Sequence, residues 1–553
     1  MNKILTFLLF CFFLQSISFS QNTVGLIKYN SAQSFPGYNL VYPHNQSTVY
    51  LLDNCGQIVH QWNDNSDLRP GNSVYLMPNG DLIKTKRPGS FQEDPIWAGG
   101  GGATVERLNW NNTLKWSFTK NDAQGRLHHD IAPLPNGNVL MIAWELKSNE
   151  EAIQAGRNPE KIAQDKLWPD QIIEYNPDSN AIVWEWNTWD HLVQDFDATK
   201  DNFGEVENHP ELIDLNWDNH NGHPDWLHFN AIDYNEYLDQ IVISVPYFDE
   251  IWIIDHSTTT AEAAGHIGGN FGKGGDLLYR WGNPTTYKRD SSREQQLFFS
   301  HDVHWINPQA NPADLDFGKL AVFNNRLPDF SSSANIFQTP IDLENNEYIL
   351  NTEEIYGPED FTKVLTHPEA PIEAFSNAIS SVQILPNGNA LVCSGRWGFS
   401  YELSPEDEIV WEYILPLQGG NPVSQGTDLA INDNFLFRLK RYAETYSGFD
   451  NRNLDPQEYL ELNPDPTICD LATSTLDLSL KKTLLHPNPV VDYLHLDLPM
   501  ESSADILIYN TVGKMVIKTK WDGQPIYLAS LPAGAYFINI NNQKPYFSKF
   551  IKL

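Results

Sequence analysis

Residues 129–142, with the sequence HDIAPLPNGNVLMI, contain two apolar stretches joined by a Pro-Asn-Gly turn. Asn-Gly between two such stretches is the strongest short-range signal for a β-hairpin, because both residues tolerate a positive φ angle. The same turn recurs at Met77–Gly80 and at Leu385–Gly388. The chain therefore contains a repeated strand–turn–strand unit.

A second kind of unit alternates with this hairpin. It consists of a strand, a turn and a strand that carries Trp, as from Thr48 to Trp62 and from Gln171 to Trp184. One unit of each kind supplies four strands, and four-stranded sheets repeated around an axis form a β-propeller. The paired units occupy residues 48–85, 104–145, 171–246, 250–324, 338–394 and 399–441. They predict an all-β fold, a six-bladed β-propeller. The alternative is a β-sandwich with coincidental turns, which gives no reason for two kinds of unit to alternate.

The two ends of the chain differ from its centre. Residues 1–20 have a single charge, Lys3, and a Leu/Phe-rich stretch, which is typical of a secretory signal peptide. Residues 21–441 hold the predicted propeller. Residues 442–480 are polar and rich in Pro and Asp, as expected of a linker, and residues 481–553 form a separate unit.

Charge limits the possible partners. Without residues 1–20 the chain has 35 basic and 71 acidic side chains. Such a surface repels nucleic acid and anionic membranes, and no second long apolar stretch is present for stable membrane insertion. An anionic ligand would need a local cluster of His, Arg and backbone N–H groups.

Three cysteines remain after residue 20. Cys393 lies in an apolar strand pattern and is predicted to be buried, whereas Cys55 and Cys469 lie in loop-like sequence. In an oxidising compartment Cys55 and Cys469 are therefore the expected pair.

Histidines recur where three of the predicted strands begin. They are His128 and His129 in LHHD, His228 in LHFN, and His301 in SHD. Aligning the strands on their turns places three polar residues at one level: Asp130, Asn230 and Asp302. In a propeller the innermost strands converge on a central channel, so we expect these side chains to meet at one mouth of it.

The residue types leave two chemistries open. Three imidazoles could bind zinc or copper, with Asp130 or Asp302 orienting the rings. Alternatively, one neutral imidazole could act as a nucleophile while the others, protonated, hold an anion. Arg280, in the stretch GGDLLYRWGNP at residues 274–284, could lie near the same mouth or simply stack on Trp281.

The C-terminal unit resembles a known export signal. It contains HPNP at residues 486–489, an apolar strand at Ile506–Asn510, LPAGAYF at residues 531–537 and a basic end. These motifs, in this order, resemble the C-terminal sorting domain of proteins exported by the type IX secretion system. The resemblance implies a small β-sandwich, the secretion machinery as a partner, and a secreted or cell-surface location.

The rest of the chain resembles another family. The stretches HHDIAPLPNGN at residues 128–138, LHFN at 227–230, GGDLLYRWGNP at 274–284 and SHDVHW at 300–305 together resemble the bacterial arylsulfotransferase family over about residues 25–441. The resemblance implies a six-bladed propeller that moves a sulfuryl group from a phenolic sulfate ester to a phenol. It also implies a sulfated histidine intermediate, no phosphoadenosyl donor and no cofactor.

The resemblance assigns roles to residues of this chain. His301 matches the family's nucleophile, and His128 or His129 together with His228 match its helper histidines. The residues expected to bind substrate are Arg280, Asn230, Asp302 and Arg396.

One departure from the family pattern bears on activity. Well-studied members have an arginine in a Ser-x-Arg segment after the LHxN histidine, whereas residues 243–247 here read ISVPY. Arg280 or Arg396 could supply the missing charge. Two alternatives therefore stay open: a non-catalytic propeller that binds sulfated or phenolic ligands, and a hydrolytic or metal-dependent propeller enzyme.

Overall fold

The structure, a computed structural model, describes residues 22–64, 66, 68–88, 96, 98–289, 294–371, 374–473, 485–496, 504–510, 514–521, 523–541 and 546–553. The predicted signal peptide, residues 1–20, lies outside the described residues. The described chain is mostly β and divides into two compact units, residues 1–472 and 473–553. Its helices are all too short or too polar to span a lipid bilayer.

Six antiparallel sheets of four or five strands make up most of the first unit. We number the sheets by their order along the chain. The strands of each sheet are given in the order in which they pair across it, and the strand given first is called its first strand. Sheet 1 contains Leu436–Ala443, Gly37–Pro43, Val49–Leu52 and Ile58–Trp62; sheet 2, Arg69–Leu76, Leu82–Arg87, Thr104–Leu108 and Leu114–Thr119; sheet 3, Gly125–Pro133, Val139–Glu145, Asp170–Asn176 and Ala181–Asn187. Sheet 4 contains Ala231–Asn235, Gln240–Val245, Glu250–Asp255 and Tyr279–Trp281; sheet 5, His301–Trp305, Lys319–Asn324, Ser333–Gln338 and Lys363–Leu365; sheet 6, Ser381–Ile384, Ala390–Ser394, Phe399–Leu403, Ile409–Ile414 and Gly25–Tyr29.

The Pro-Asn-Gly hairpins are confirmed, and they form the first two strands of sheets 2, 3 and 6. In these turns only the glycine has a positive φ: 80° at Gly80, 91° at Gly137 and 86° at Gly388. The glycine is required there because a Cβ atom disfavours that backbone conformation.

The predicted grouping of strands was wrong by half a sheet. Residues 48–85, for example, combine the last two strands of sheet 1 with the first two of sheet 2. Each Pro-Asn-Gly hairpin pairs instead with the aromatic hairpin that follows it. A periodic sequence defines the order of the repeats but not where each sheet begins.

The first strands of the six sheets contact one another in cyclic order, and the last contact, between sheets 6 and 1, closes the ring. Both ends of this unit take part in the closure. Gly25–Tyr29 adds the outer strand of sheet 6, and Leu436–Ala443 provides the first strand of sheet 1.

Short elements connect the sheets. Two-stranded pairs occur at Lys147–Ser148 with Lys166–Leu167, Leu192–Val193 with Ile213–Asp214, Ile341–Asp342 with Glu347–Tyr348, and Leu417–Gln418 with Asn421–Pro422. The α-helices are Asn149–Ala155, Thr260–Ala263 and Thr467–Thr473, and the 3-10 turns are Pro159–Lys161, Thr188–Asp190, Val206–Asn208, Pro284–Tyr287, Gly395–Trp397 and Ser447–Phe449.

Residues 444–472, within the segment expected to be a linker, belong to the first unit and pack against its sheets. Phe449, Leu460 and Cys469 are buried there. Cys469 forms a disulfide with Cys55, and Cys393 is free and buried, so the expected pairing of the cysteines is confirmed.

The second unit has two sheets. One contains Leu485–His486, Tyr493–Leu496 and Ile526–Tyr527, and the other contains Met515–Trp521, Ala504–Asn510, Gly534–Asn541 and Tyr546–Lys552. Side chains from both sheets, including Leu494, Ile508 and Ile538, share one apolar core.

Candidate active site

Four histidines lie where the first strands of sheets 3, 4 and 5 begin. His128 and His129 belong to Gly125–Pro133, His228 lies just before Ala231–Asn235, and His301 opens His301–Trp305. His129 and His228 have φ angles of 48° and 64°. Left-handed backbone costs a non-glycine residue about 1–3 kcal/mol and collects at functional sites. The repeated strain therefore marks the place where these strands present their side chains.

His128 is held from three sides. Its ring stacks on Trp144, with centroids 3.9 Å apart, and its Nδ1 is 2.8 Å from Nδ1 of His129. Its Nε2 is 2.8 Å from Oδ1 of Asp170, although the ring N–H is not aligned with this oxygen. Burial, reinforced by His228, holds the pKa of His128 well below its usual range, and burial raises the pKa of Asp170 well above its own. The site therefore disfavours the charged forms of both groups.

His228 is oriented by a carboxylate. Its Nδ1 is 2.5 Å from Oδ2 of Asp225, and both side chains are buried. A carboxylate at Nδ1 keeps that nitrogen protonated and fixes the orientation of the ring. The ring centroid of His228 is 4.5 Å from that of His129 and 5.1 Å from that of Tyr247.

His301 has a defined tautomer. The side-chain amide nitrogen of Asn325 donates to the carbonyls of Ser376 and Ile379, 2.8 Å from each, so its oxygen faces His301. That oxygen is 2.8 Å from Nδ1 of His301, which therefore carries the proton. The Nε2 lone pair accepts a hydrogen bond from the backbone N–H of Ile379 at 3.1 Å. Burial lowers the pKa of His301 to about 3, so the ring is neutral at pH 7.

The histidines form one cluster. The ring of Phe299 lies between His228 and His301, with centroid distances of 6.1 and 5.6 Å. Burial, followed by the charges of His228, His128 and His301, lowers the pKa of His129 well below its usual range. The prediction that these side chains converge is consistent with this geometry, whereas their chemical roles stay predictions.

A glycine segment covers the cluster. A Cβ atom at Gly100 would lie 1.8 Å from Cε1 of His129, and one at Gly99 would lie 3.4 Å from Cε1 of His228. Gly100 also has a φ of 81°. At Gly100 only glycine allows the backbone to approach the ring of His129 this closely.

Asp130 and Asp302, which the alignment of the strands placed at one level, both bind the same arginine. Arg438, in the first strand of sheet 1, donates from Nη2 to Oδ2 of Asp130 at 2.7 Å and from Nε to Oδ1 of Asp302. It also donates to the hydroxyl of Tyr75. The three charges thus join sheets 1, 3 and 5 on the axis of the ring. A cavity of about 200 Å³ adjoins them, lined by residues that include Asp233, His304 and Lys440.

The structure gives Asn230 a positioning role. Its side-chain nitrogen donates to the carbonyl of Ser300 at 2.9 Å, and its oxygen accepts from the hydroxyl of Ser244 at 2.5 Å. Asn230 is fully buried. It holds the residue before His301 in place and does not present its amide to a ligand.

The prediction that Arg280 binds substrate is wrong. Arg280 lies in the last strand of sheet 4 with no exposed surface. Its guanidinium donates to Glu250 at 2.7 and 3.0 Å, to the hydroxyl of Thr286 and to the carbonyl of Leu212. Its sequence surroundings resemble a family motif, but its donors are used within the sheet.

Arg326 provides positive charge near the histidines, and the charge of Arg396 acts on Arg326. Arg396 is half-buried, and its Nε donates to the side chain of Asn432. Arg326, which sequence reasoning missed, stacks its guanidinium on Phe299 with Cζ 3.4 Å from the ring centroid. Its Nε donates to the carbonyl of Asn377 at 2.8 Å, its side chain is exposed, and its charge acts on His301.

A positional signal could have found Arg326. It lies two residues after the second strand of sheet 5, and Arg396 lies two residues after the second strand of sheet 6. Tyr247 occupies the same position after the second strand of sheet 4, one residue beyond Pro246, where the Ser-x-Arg pattern places the family arginine. Burial raises the pKa of Tyr247, so its hydroxyl is neutral. The charge missing from sheet 4 is therefore present at the equivalent position of the next two sheets.

This constellation of buried histidines lies within a region that matches a known class of transferase. Residues 27–415 match the family model described as Arylsulfotransferase (ASST), and the chain therefore belongs to this family. Membership supports aryl-sulfate sulfotransferase activity on small-molecule substrates. Residues 484–552 match a secretion system C-terminal sorting domain, which indicates export to the cell surface or beyond.

Other comparisons are less informative. No curated protein matches the chain. Among solved structures, a protein of unknown function from Bacteroides caccae has 12% identity and a TM-score of 0.36, covering 74% of this chain and 100% of its own. A streptogramin B lyase has 10% identity and a TM-score of 0.32 over 71% and 88% of the two chains, and the Dos1 propeller has 8% and 0.29 over 72% and 78%. TM-scores this low establish no shared activity.

Proposed function

We propose that this chain is an exported aryl-sulfate sulfotransferase that transfers a sulfuryl group through a sulfated His301. In this proposal the six sheets are the blades of one propeller over residues 21–441, and residues 481–553 are a sandwich-like sorting domain. The observation that carries the proposal is the hydrogen bond from His301 Nδ1 to Asn325, which leaves the Nε2 lone pair as the nucleophile. Neutral imidazole is nucleophilic at pH 7.

The first half-reaction balances as follows. His301 Nε2 bonds to sulfur, and the bond from sulfur to the phenolic oxygen breaks. In this proposal His228 enters the step as an imidazolium, with its Nδ1–H held by the Asp225 carboxylate at 2.5 Å and a second proton on Nε2. The departing phenolate, whose parent pKa is about 10, takes the Nε2 proton. The proton stays on His301 Nδ1, which donates it in the hydrogen bond to Asn325. The sulfated ring is therefore cationic and leaves readily. A phenol then attacks sulfur, returns its proton to His228 and frees His301.

The nucleophile must first lose one contact. Its Nε2 accepts from the N–H of Ile379 in the structure, and a net hydrogen bond is worth about 0.5–1.5 kcal/mol. Ile379 and Ser380 have φ angles of 53° and 91°, an unusual conformation for these residue types. A shift of this segment would release Nε2 and also relieve backbone strain.

The transferred group needs cationic donors, because negative charge collects on its three free oxygens. Arg326 is the best placed, since its guanidinium stacks on Phe299 between the two reacting histidines. Changing Arg326 to Met should lower kcat/KM for an aryl sulfate about 10- to 100-fold, or about 1.4–2.7 kcal/mol. Arg289→Met, which removes an arginine paired with Glu354, is the matched control.

Intact-mass spectrometry tests the central claim. Brief exposure to 4-nitrophenyl sulfate should add about 80 Da, the mass of one sulfuryl group, to the wild-type chain. His301→Ala should abolish the adduct and also the release of nitrophenolate in the presence of phenol. His367→Ala, which removes another buried histidine, bonded to Glu412, should retain both. An adduct on His301→Ala would refute the assignment.

The occupied lone pair of His301 favours one second candidate, a non-catalytic propeller that binds sulfated or phenolic ligands. That protein would bind 4-nitrophenyl sulfate by calorimetry yet form no adduct and show no turnover with any phenol.

A further inference from the structure

A second group of histidines lies at the outer edges of sheets 3 and 4. His191 follows the turn Thr188–Asp190 that leaves the last strand of sheet 3. His266 and Asp276 flank the glycine-rich loop that leads to the last strand of sheet 4. Oδ1 of Asp276 is 2.9 Å from Nδ1 of His191 and 2.8 Å from Nδ1 of His266, and the three ligand atoms all lie within 4.8 Å of one another.

The hydrogen bonds of His191 require a cation at this point. Its Nε2 is 2.8 Å from the carbonyl oxygen of Ala263, which can only accept, so Nε2 carries a proton. In a neutral ring Nδ1 then has a lone pair, and it faces a carboxylate oxygen at 2.9 Å. Two acceptors this close repel each other unless a proton or a metal ion lies between them.

We propose that His191, His266 and Asp276 bind a divalent transition-metal ion of the zinc class, with water as a further ligand. Two imidazoles and one carboxylate form a ligand set typical of zinc. Metal-bound histidines usually donate their second ring N–H to a carbonyl or carboxylate, as His191 does to Ala263. This contact is independent of the convergence on Asp276.

The surroundings fit a site that is rigid on one side and open on the other. His191 has no exposed surface, and its ring stacks on Trp186 with centroids 5.4 Å apart. The side chain of His266 is 59% exposed, which gives an ion a path from solvent. The ion would join the segment that leaves sheet 3 to residues 265–276, the loop before the last strand of sheet 4.

Close packing of that loop supports the link. A Cβ atom at Gly275 would lie 2.0 Å from the carbonyl oxygen of Ala263 and 2.6 Å from Nε2 of His191. The loop therefore needs glycine to bring Asp276 against the ring. A bound ion would hold this arrangement without touching the candidate active site.

The test uses untagged, full-length protein stripped with a chelator and then titrated with Co²⁺ and Zn²⁺. We expect one ion per chain, visible absorption typical of four-coordinate Co²⁺, its loss on adding Zn²⁺, and a higher midpoint of thermal unfolding with Zn²⁺. His266→Ala, an exposed substitution that should leave the fold intact, should weaken binding at least tenfold. His209→Ala, which removes another partly exposed histidine beside a carboxylate, should not.

Two results would overturn the proposal. One is no stoichiometric ion in the wild-type chain, which would leave His191 as a protonated ring paired with Asp276. The other is equal affinity in His266→Ala and wild type. His301→Ala should keep the ion, because this site does not depend on the proposed transferase chemistry; loss of the ion there would place the metal at the histidine cluster.

Discussion

Replacing Arg438 by Met tests the charges on the axis of the ring. Arg438 bonds to Asp130 and Asp302, whose residues are 0% and 4% exposed, and to the hydroxyl of Tyr75. Met keeps much of the aliphatic volume but leaves two buried carboxylates without their shared cation. Breaking a buried ion pair by removing one partner costs about 3–5 kcal/mol.

The contacts that remain put the expected loss of stability in Arg438→Met in the lower part of that range. Asp130 keeps hydrogen bonds from Ser73 at 2.6 Å and from the backbone of Ile131, and Asp302 keeps one from the backbone N–H of Val382 at 2.9 Å. The carboxylates therefore stay partly satisfied but face each other as like charges. We expect the free energy of unfolding to fall by about 3–4 kcal/mol.

Urea unfolding followed by tryptophan fluorescence measures this loss. Lys440→Met is the matched control, because Lys440 lies two residues along the same strand and lines the same cavity. Burial lowers the pKa of Lys440, so removing its charge should cost less than removing that of Arg438. Adding Asp302→Asn to Arg438→Met should recover at least about 1 kcal/mol, since one stranded charge is gone. A loss below about 1 kcal/mol for Arg438→Met, or no recovery in the double variant, would refute the reasoning.

Three further outcomes follow from the structure. The buried histidines should destabilise the fold in acid: the pKa of His301 is about 3 in the folded chain and about 6.5 when unfolded, so its contribution is complete above pH 6.5 and lost as the pH falls towards 3. The free energy of unfolding, measured with urea, should drop between pH 7 and pH 5 by up to about 1.4 kcal/mol per pH unit for each such histidine, and by less in His301→Gln; an unchanged slope in that variant would contradict the burial of a neutral ring. Gly100→Ala should cost about 1–3 kcal/mol more than Gly137→Ala, because both glycines are left-handed but only the Cβ at Gly100 meets a ring, and equal losses by urea unfolding would contradict the contact with His129. Cys469→Ser should lower the free energy of unfolding by about 2–4 kcal/mol under oxidising conditions, and a reductant should remove the difference from wild type.

The parts of the fold that the sequence predicts are those encoded locally. Pro-Asn-Gly at residues 135–137 makes its own hairpin, and Ser148 with Glu151 caps the helix Asn149–Ala155. The repeated His-Asp step likewise locates the histidine cluster, because equivalent positions in a repeat become neighbours in space.

What the sequence could not provide depends on contacts between distant segments. Arg438 reaches Asp130 across 308 residues, and nothing in its own strand distinguishes it from a surface arginine. Arg280 was misassigned because its partner, Glu250, lies on a neighbouring strand that pairs with it only in the folded sheet. Arg326 became recognisable only once the strand ends were known.

The closure of the ring depends on a strand that is synthesised late. Leu436–Ala443 enters sheet 1 beside residues made some 400 positions earlier, and it carries Arg438 to Asp130 and Asp302. Until ribosomes have completed that late strand, the circle has a gap and its axial charges are uncompensated. A chain that lacks this strand is consequently unfinished, and the ion pairs of Arg438 form only after residues 436–443 have reached the place where the chain folds.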